Sequence, residues 1–224
     1  MASLGQWLRP ALTVPNTAWS AGESNWKVSP KTFLVLVLGL WLFGTGEALI
    51  IDASLGQSPW TVLADGLAQT LNMTIGQTTF LTSVIVLLLW IPLKRKPGLG
   101  TVMNILVIAV AIDVMIPILP SPENVFAQSV QVLIGIMLTG IASALYITCN
   151  VGAGPRDGLM TGLNEKTGVR VGRVRTGIEV VVLAIGWSLG GVVGVGTLLF
   201  ALLIGQSVAI SFGLVERISP KKAI

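Results

Sequence analysis

Six apolar runs of membrane-crossing length leave this chain few ways to fold. They fall at Phe33 to Ala53, Thr78 to Leu93, Thr101 to Leu119, Val130 to Thr148, Val174 to Leu189 and Thr197 to Val215. Backbone inside a hydrocarbon layer must satisfy its own hydrogen bonds, so runs of this kind become helices, about 17 to 25 residues being enough to cross. Composition agrees: 53% of the 224 residues are hydrophobic and 11% charged, with a mean hydropathy of +0.83. An ordinary soluble domain of this size is excluded. The expected fold is an all-α membrane protein with six transmembrane helices in contact with the lipid bilayer.

Histidine is absent. Its absence removes the usual general base and the commonest zinc ligand, and no nucleophile–base pair stands out, so neither an enzyme nor a cofactor or metal site is expected. The single cysteine, Cys149, lies in an apolar stretch and reads as a small packed hydrophobe. A net charge of +4 could suggest nucleic acid. The basic residues, however, form short clusters between the apolar runs, so no nucleic-acid partner is expected and they are read for orientation. Arg9, Lys27 and Lys31 precede the first run, Lys94, Arg95 and Lys96 follow the second, and Arg156, Lys166, Arg170, Arg173 and Arg175 follow the fourth. Arg217, Lys221 and Lys222 close the chain, while the connections after the first, third and fifth runs carry no lysine or arginine. The positive-inside rule then puts both termini in the cytoplasm. Trp7, Trp19 and Trp26 in the tail before the first run could rest on the lipid interface or pack on the protein.

A shift of 96 residues, as from Pro59 to Pro155, lays one half of the chain on the other without a gap. Gly44, Ala48 and Ile51 fall on Gly140, Ala144 and Ile147; Gly56 and Pro59 on Gly152 and Pro155; Gly98, Gly100 and Thr101 on Gly194, Gly196 and Thr197. Each half has one plan: a span, a Gly-Pro turn, a short helix, a second span, a Gly-x-Gly-Thr turn and a third span. Three crossings per unit force the second unit to enter from the opposite side, an inverted repeat of the kind common in transporters. The expected organisation is a tail over 1–32, repeats over 33–120 and 121–216, and a basic tail over 217–224. The Gly-x-Gly-Thr segments lack the Lys-Ser/Thr pair of a phosphate loop and read as turns.

The segments after the first span of each repeat carry the candidate site. Proline suits the first position of a helix, and about ten residues are too few to cross, so each short helix either re-enters the protein or lies on its surface. Inward-pointing N-termini would offer backbone donors to an anion. Ser58, Pro59 and Trp60 in one copy, and Asn150, Gly154, Pro155, Arg156 and Asp157 in the other, are therefore the candidate substrate-binding residues. Arg156 and Asp157 replace Trp60 and Thr61 of the first copy. Either the polarity marks a specialised site, with Asp157 holding Arg156, or the arginine serves orientation and the acid caps the turn.

Acids within spans are costly, roughly 2.5 to 3.5 kcal/mol on insertion scales, and must face protein, water or a partner. Glu47, Asp52 and Asp113 are candidates for ion coupling, Glu47 first among them, whereas Glu179 is placed to pair with Arg175 one turn earlier.

At Leu55-Gly-Gln-Ser-Pro-Trp60, Lys96-Pro-Gly-Leu-Gly-Thr101, Gly152-Ala-Gly-Pro-Arg-Asp-Gly-Leu-Met160 and Thr167-Gly-Val-Arg-Val-Gly-Arg-Val-Arg175 the chain resembles the YczE-like integral membrane proteins, related to the YyaS and YitT group. The resemblance covers approximately residues 34 to 212. It implies a multi-pass protein of the bacterial inner membrane and supplies no agreed substrate. The expected function is a secondary transporter of a small polar, anionic solute bound at the repeat interface. The rival is a non-transporting accessory subunit of an envelope or export complex, with a second copy or another membrane protein as partner.

Overall fold

The computed structural model describes residues 10–219 except 12 and 23, so Trp7, Arg9, Lys221 and Lys222 lie outside the described residues. The described residues fold into eight helices: α1 (Pro30–Asp52), α2 (Pro59–Leu71), α3 (Ile75–Leu88), α4 (Leu99–Met115), α5 (Val125–Thr148), α6 (Pro155–Thr167), α7 (Val171–Ser188) and α8 (Val195–Ile218).

Local chemistry sets the boundaries. Pro30 opens α1 behind Ser29, whose hydroxyl accepts from the Thr32 amide at 3.1 Å. Pro59 and Pro155 open α2 and α6, which end after 13 residues each at the left-handed Asn72 and Gly168. A reciprocal Thr74–Gln77 cap starts α3. Turns led by Gly98 and Gly194 start α4 and α8, where the Thr101 and Thr197 hydroxyls accept from the glycine amides at 3.1 and 3.2 Å.

The repeat seen in the sequence recurs in the backbone. α2, α3 and α4 begin 96 residues before α6, α7 and α8. Every described residue with positive φ has a mate at the same spacing: Ser54 with Asn150, Gly56 with Gly152, Asn72 with Gly168, and Lys94 with Gly190. Contacts between the halves are reciprocal. Leu55 O accepts from the Gly196 amide at 2.7 Å, and Val151 O from the Gly100 amide at 2.8 Å. Mutual exchange of equivalent contacts is what a two-fold relation between two units produces.

Helices α1 and α5 pack on each other at the centre, α4 lies on α1 and α8 on α5, while α2 packs on α7 and α6 on α3. One pairing breaks the symmetry: α3 packs along α4, but α7 has no comparable contact with α8. Asp113 near the end of α4 pins α3, accepting from Thr74 Oγ1 at 2.6 Å and the Gly76 amide at 2.8 Å. In the second half its mate is Ala209, which has no carboxylate, and a Cβ built on Gly172, the mate of Gly76, meets nothing within 4 Å. Ala209 O instead accepts from the Ala11 amide at 2.9 Å.

Among the described residues three helices, α1, α5 and α8, are long and apolar enough to cross a membrane, and α2 with α3 makes a fourth if their 113° bend is one broken span. α4 is apolar but 17 residues long. α7 begins with Arg173, Arg175 and Glu179 within its first turns, which lowers its apolar content. The described part of the N-terminal segment packs on the protein: Trp19 Nε1 donates to Thr148 Oγ1 at 3.0 Å, and Leu99 N donates to Asn25 O at 2.9 Å. Trp26 is exposed.

Candidate functional site

A cavity of about 160 Å³ lies where the two halves meet. Its lining is mostly made of repeat mates: Glu47 with Ser143, Ser58 with Gly154, Trp60 with Arg156, Thr61 with Asp157, Thr79 with Arg175 and Ser83 with Glu179. Such pairing places the cavity on the relation between the repeats rather than inside either one. The first turns of α2 and α6 both reach it, through Ser58 to Thr61 and through Gly154, Arg156 and Asp157. Each begins with a proline that costs no hydrogen bond there.

Two mates touch across the centre. The Arg156 guanidinium carbon stands 4.9 Å from the middle of the Trp60 ring, a cation–π distance. No hydrogen bond or ion pair to Arg156 is found among the described residues, so its donors remain available to the cavity.

Glu47, on α1, is 2% exposed. Its Oε2 accepts from Ser58 Oγ at 2.9 Å and from Thr61 Oγ1, but its Oε1 is buried without a hydrogen-bond partner among the described residues. Trp60 Nε1, Thr79 Oγ1 and Thr139 Oγ1 are buried and unpartnered in the same way and line the same space. Each unsatisfied group of this kind costs about 1–3 kcal/mol if nothing polar meets it. Four around one cavity therefore mark a space built for polar contents.

The remaining lining charges have partners within the protein. Asp157 Oδ2 accepts from the Tyr146 hydroxyl at 3.0 Å, rather than holding Arg156. Arg175 and Glu179 pair at 2.8 Å, as their i, i+4 spacing predicts. No group of three or more His, Cys, Asp or Glu side chains among the described residues is placed to hold a metal ion.

Of the residues singled out by sequence, Glu47, Ser58, Pro59, Trp60, Gly154, Arg156 and Asp157 line the cavity. The others do not. Pro155 presents its carbonyl to Trp90 Nε1 at 2.9 Å, and Asn150 is exposed in a left-handed turn that mirrors Ser54. Asp52 accepts from Ser121 Oγ at 2.7 Å and Gln131 Nε2 at 2.8 Å, and Asp113 pins α3 as described. Both of these acids stabilise helix junctions away from the cavity.

Thr79, Ser83, Asn104, Thr139, Ser143 and Tyr146 also line it and were not singled out. A signal for one was available: Ser143 is the repeat mate of Glu47, so a polar position recurs there in both halves.

A family model described as a family of unknown function, DUF6198, matches residues 30–212. The chain belongs to this family. A Haemophilus influenzae member, described as an uncharacterized protein, is 43% identical over 92% of this chain and 94% of its own length. The Bacillus subtilis membrane protein YczE is 34% identical over 75% of this chain and 79% of its own, and YyaS of the same organism is 26% identical over 80% and 92%. This family member is thus YczE-like and a membrane protein, as its motifs imply. No solved structure matches it.

Proposed function

We propose that this YczE-like protein is a secondary carrier, not an enzyme, moving a small polar solute with an anionic group across the bacterial inner membrane. In this reading it crosses six times as two inverted three-helix repeats, with both termini cytoplasmic. The observation that carries it is the cavity: lined by polar groups among apolar ones, formed by equivalent residues of both halves, and reached by two helix starts whose backbone donors favour an anionic group. Arg156 receives that group. Of the three acids considered for coupling, Glu47 alone lines the cavity, so a proton coupled to transport there would travel on it.

The broken symmetry supports alternating access. α3 is pinned to α4 by Asp113 while α7 stands off α8, so the two sides of the cavity are unlike. Exchanging these roles would expose the cavity to the opposite side. A non-transporting accessory subunit needs no such cavity.

Filling the cavity separates the two readings. In vesicles reconstituted with Ser143→Trp, uptake of solutes that the native protein carries is expected to vanish while the protein remains folded. If cells carrying Ser143→Trp keep every phenotype that deletion of the gene removes, the carrier reading fails and the accessory one stands.

A further inference from the structure

The cavity is lined by an arginine and a glutamate that form no direct ion pair with each other. Arg156 is held against the face of Trp60, and Glu47 is held by Ser58 and Thr61. We infer that the solute is a small zwitterion, its anionic group on Arg156 and its ammonium or comparable cationic group on Glu47 Oε1. The inference rests on the carrier reading and names the solute's class.

A simple anion fits only half of this arrangement. It would satisfy Arg156 and leave the buried Glu47 oxygen unpartnered, in a lining that already carries the carboxylates of Glu47, Asp157 and Glu179 against two guanidiniums. A simple cation leaves the Arg156 donors unmet, and a neutral polar molecule gives neither Arg156 nor Glu47 Oε1 a direct charge-assisted hydrogen bond in a setting where such bonds are strongest. A zwitterion answers both. The unpartnered Trp60 Nε1 lies beside Arg156 and supplies a further donor to the anionic end, while the Thr79 and Thr139 hydroxyls can serve either end. Because the Trp60 ring already holds Arg156 and the Ser58 and Thr61 hydroxyls already hold Glu47, little ordering remains when solute binds. The volume, about 160 Å³, lies below the roughly 300–1,000 Å³ of pockets that take drug-sized ligands and suits an amino acid or betaine with a short side chain.

The test compares each zwitterion with its own single-charge analogues on the full-length protein in detergent. Neutral amino acids, β-alanine and glycine betaine are titrated, and for alanine the analogues are propionate and ethylamine; affinity is read from the shift in thermal unfolding. At least one zwitterion is expected to bind about tenfold more tightly than both of its analogues. Glu47→Gln should erase that advantage over the carboxylate analogue, and Arg156→Gln the advantage over the amine. A single-charge analogue that binds as tightly as every zwitterion overturns the inference, as does a panel in which nothing binds. The analogue series on native protein decides the matter even if a variant does not fold. Counterflow in vesicles then separates the two claims: an anion carried with no zwitterion bound defeats the solute class alone, whereas a zwitterion bound but never carried defeats the carrier reading alone.

Discussion

At the scale of single residues, packing against aromatic rings decides what the short helices tolerate. A Cβ at Gly158 on α6 would lie within the Trp90 ring. Trp90 cannot simply step aside, because it is 3% exposed and its Nε1 donates to Pro155 O at 2.9 Å. Gly158→Ala should therefore destabilise the protein by about 2–3 kcal/mol, through overpacking and the lost hydrogen bond. Gly177 on α7 is the contrasting site. An added Cβ there meets nothing within 4 Å, so Gly177→Ala should be neutral or stabilise by up to ~1 kcal/mol through helix propensity. Unfolding curves of both variants in the same detergent check the pair, and a Gly158→Ala protein as stable as native would contradict the packing argument. Glu47 was legible in the sequence because a carboxylate in an apolar run is costly wherever it points. Asp65 was not. It is a buried acid on α2 that accepts from Gln57 Nε2 at 3.1 Å and from the Val192 amide at 3.1 Å, and nothing in its local pattern reveals a partner 127 residues away.

At the scale of elements, each connection after a long helix clasps the last helix of the opposite half. Gly56 and Gly152 have φ of +107° and +109°, a region that side chains rarely occupy. Each also lies against a backbone that a Cβ would strike: Gly194 for the first, Gly98 for the second. Gly56→Ala and Gly152→Ala should each cost about 1–3 kcal/mol. Because the two clasps share no residue, the costs should add within about 0.5 kcal/mol in the double variant. Chemical or thermal unfolding of the two singles and the double gives the answer. Most element starts could be read from sequence because prolines and Gly-x-Gly-Thr turns punctuate a gapless repeat. The docking of the N-terminal segment could not. Trp19 finds Thr148 Oγ1 at a separation of 129 residues, and Lys31 stands 5.9 Å from the Trp19 ring, contacts that depend on the assembled helix ends and on no local periodicity.

At the scale of the whole molecule, the decisive question is how the halves lie relative to the membrane. Helix length alone reaches three crossings, or four with the bent pair. The six crossings proposed above rest on the charge pattern and the repeat, in which each half crosses an odd number of times so that basic and neutral connections alternate. The reciprocal contacts fit a two-fold relation, and a two-fold axis lying in the membrane plane would turn α2 and α6 toward opposite faces. Thr70 and Lys166 test this directly. They are repeat mates near the ends of these short helices, and both are exposed. Cys149, the chain's own thiol, is buried and should stay silent. With Thr70→Cys and Lys166→Cys in separate proteins, a membrane-impermeant maleimide applied to intact cells should label the first and spare the second, which should react only after the membrane is opened. Reaction of both from one side would mean that the halves are parallel. Equivalent residues would then face the same compartment, and the unlike packing of α3 on α4 and α7 on α8 would be a fixed difference between two structural units rather than the two sides of one carrier cycle.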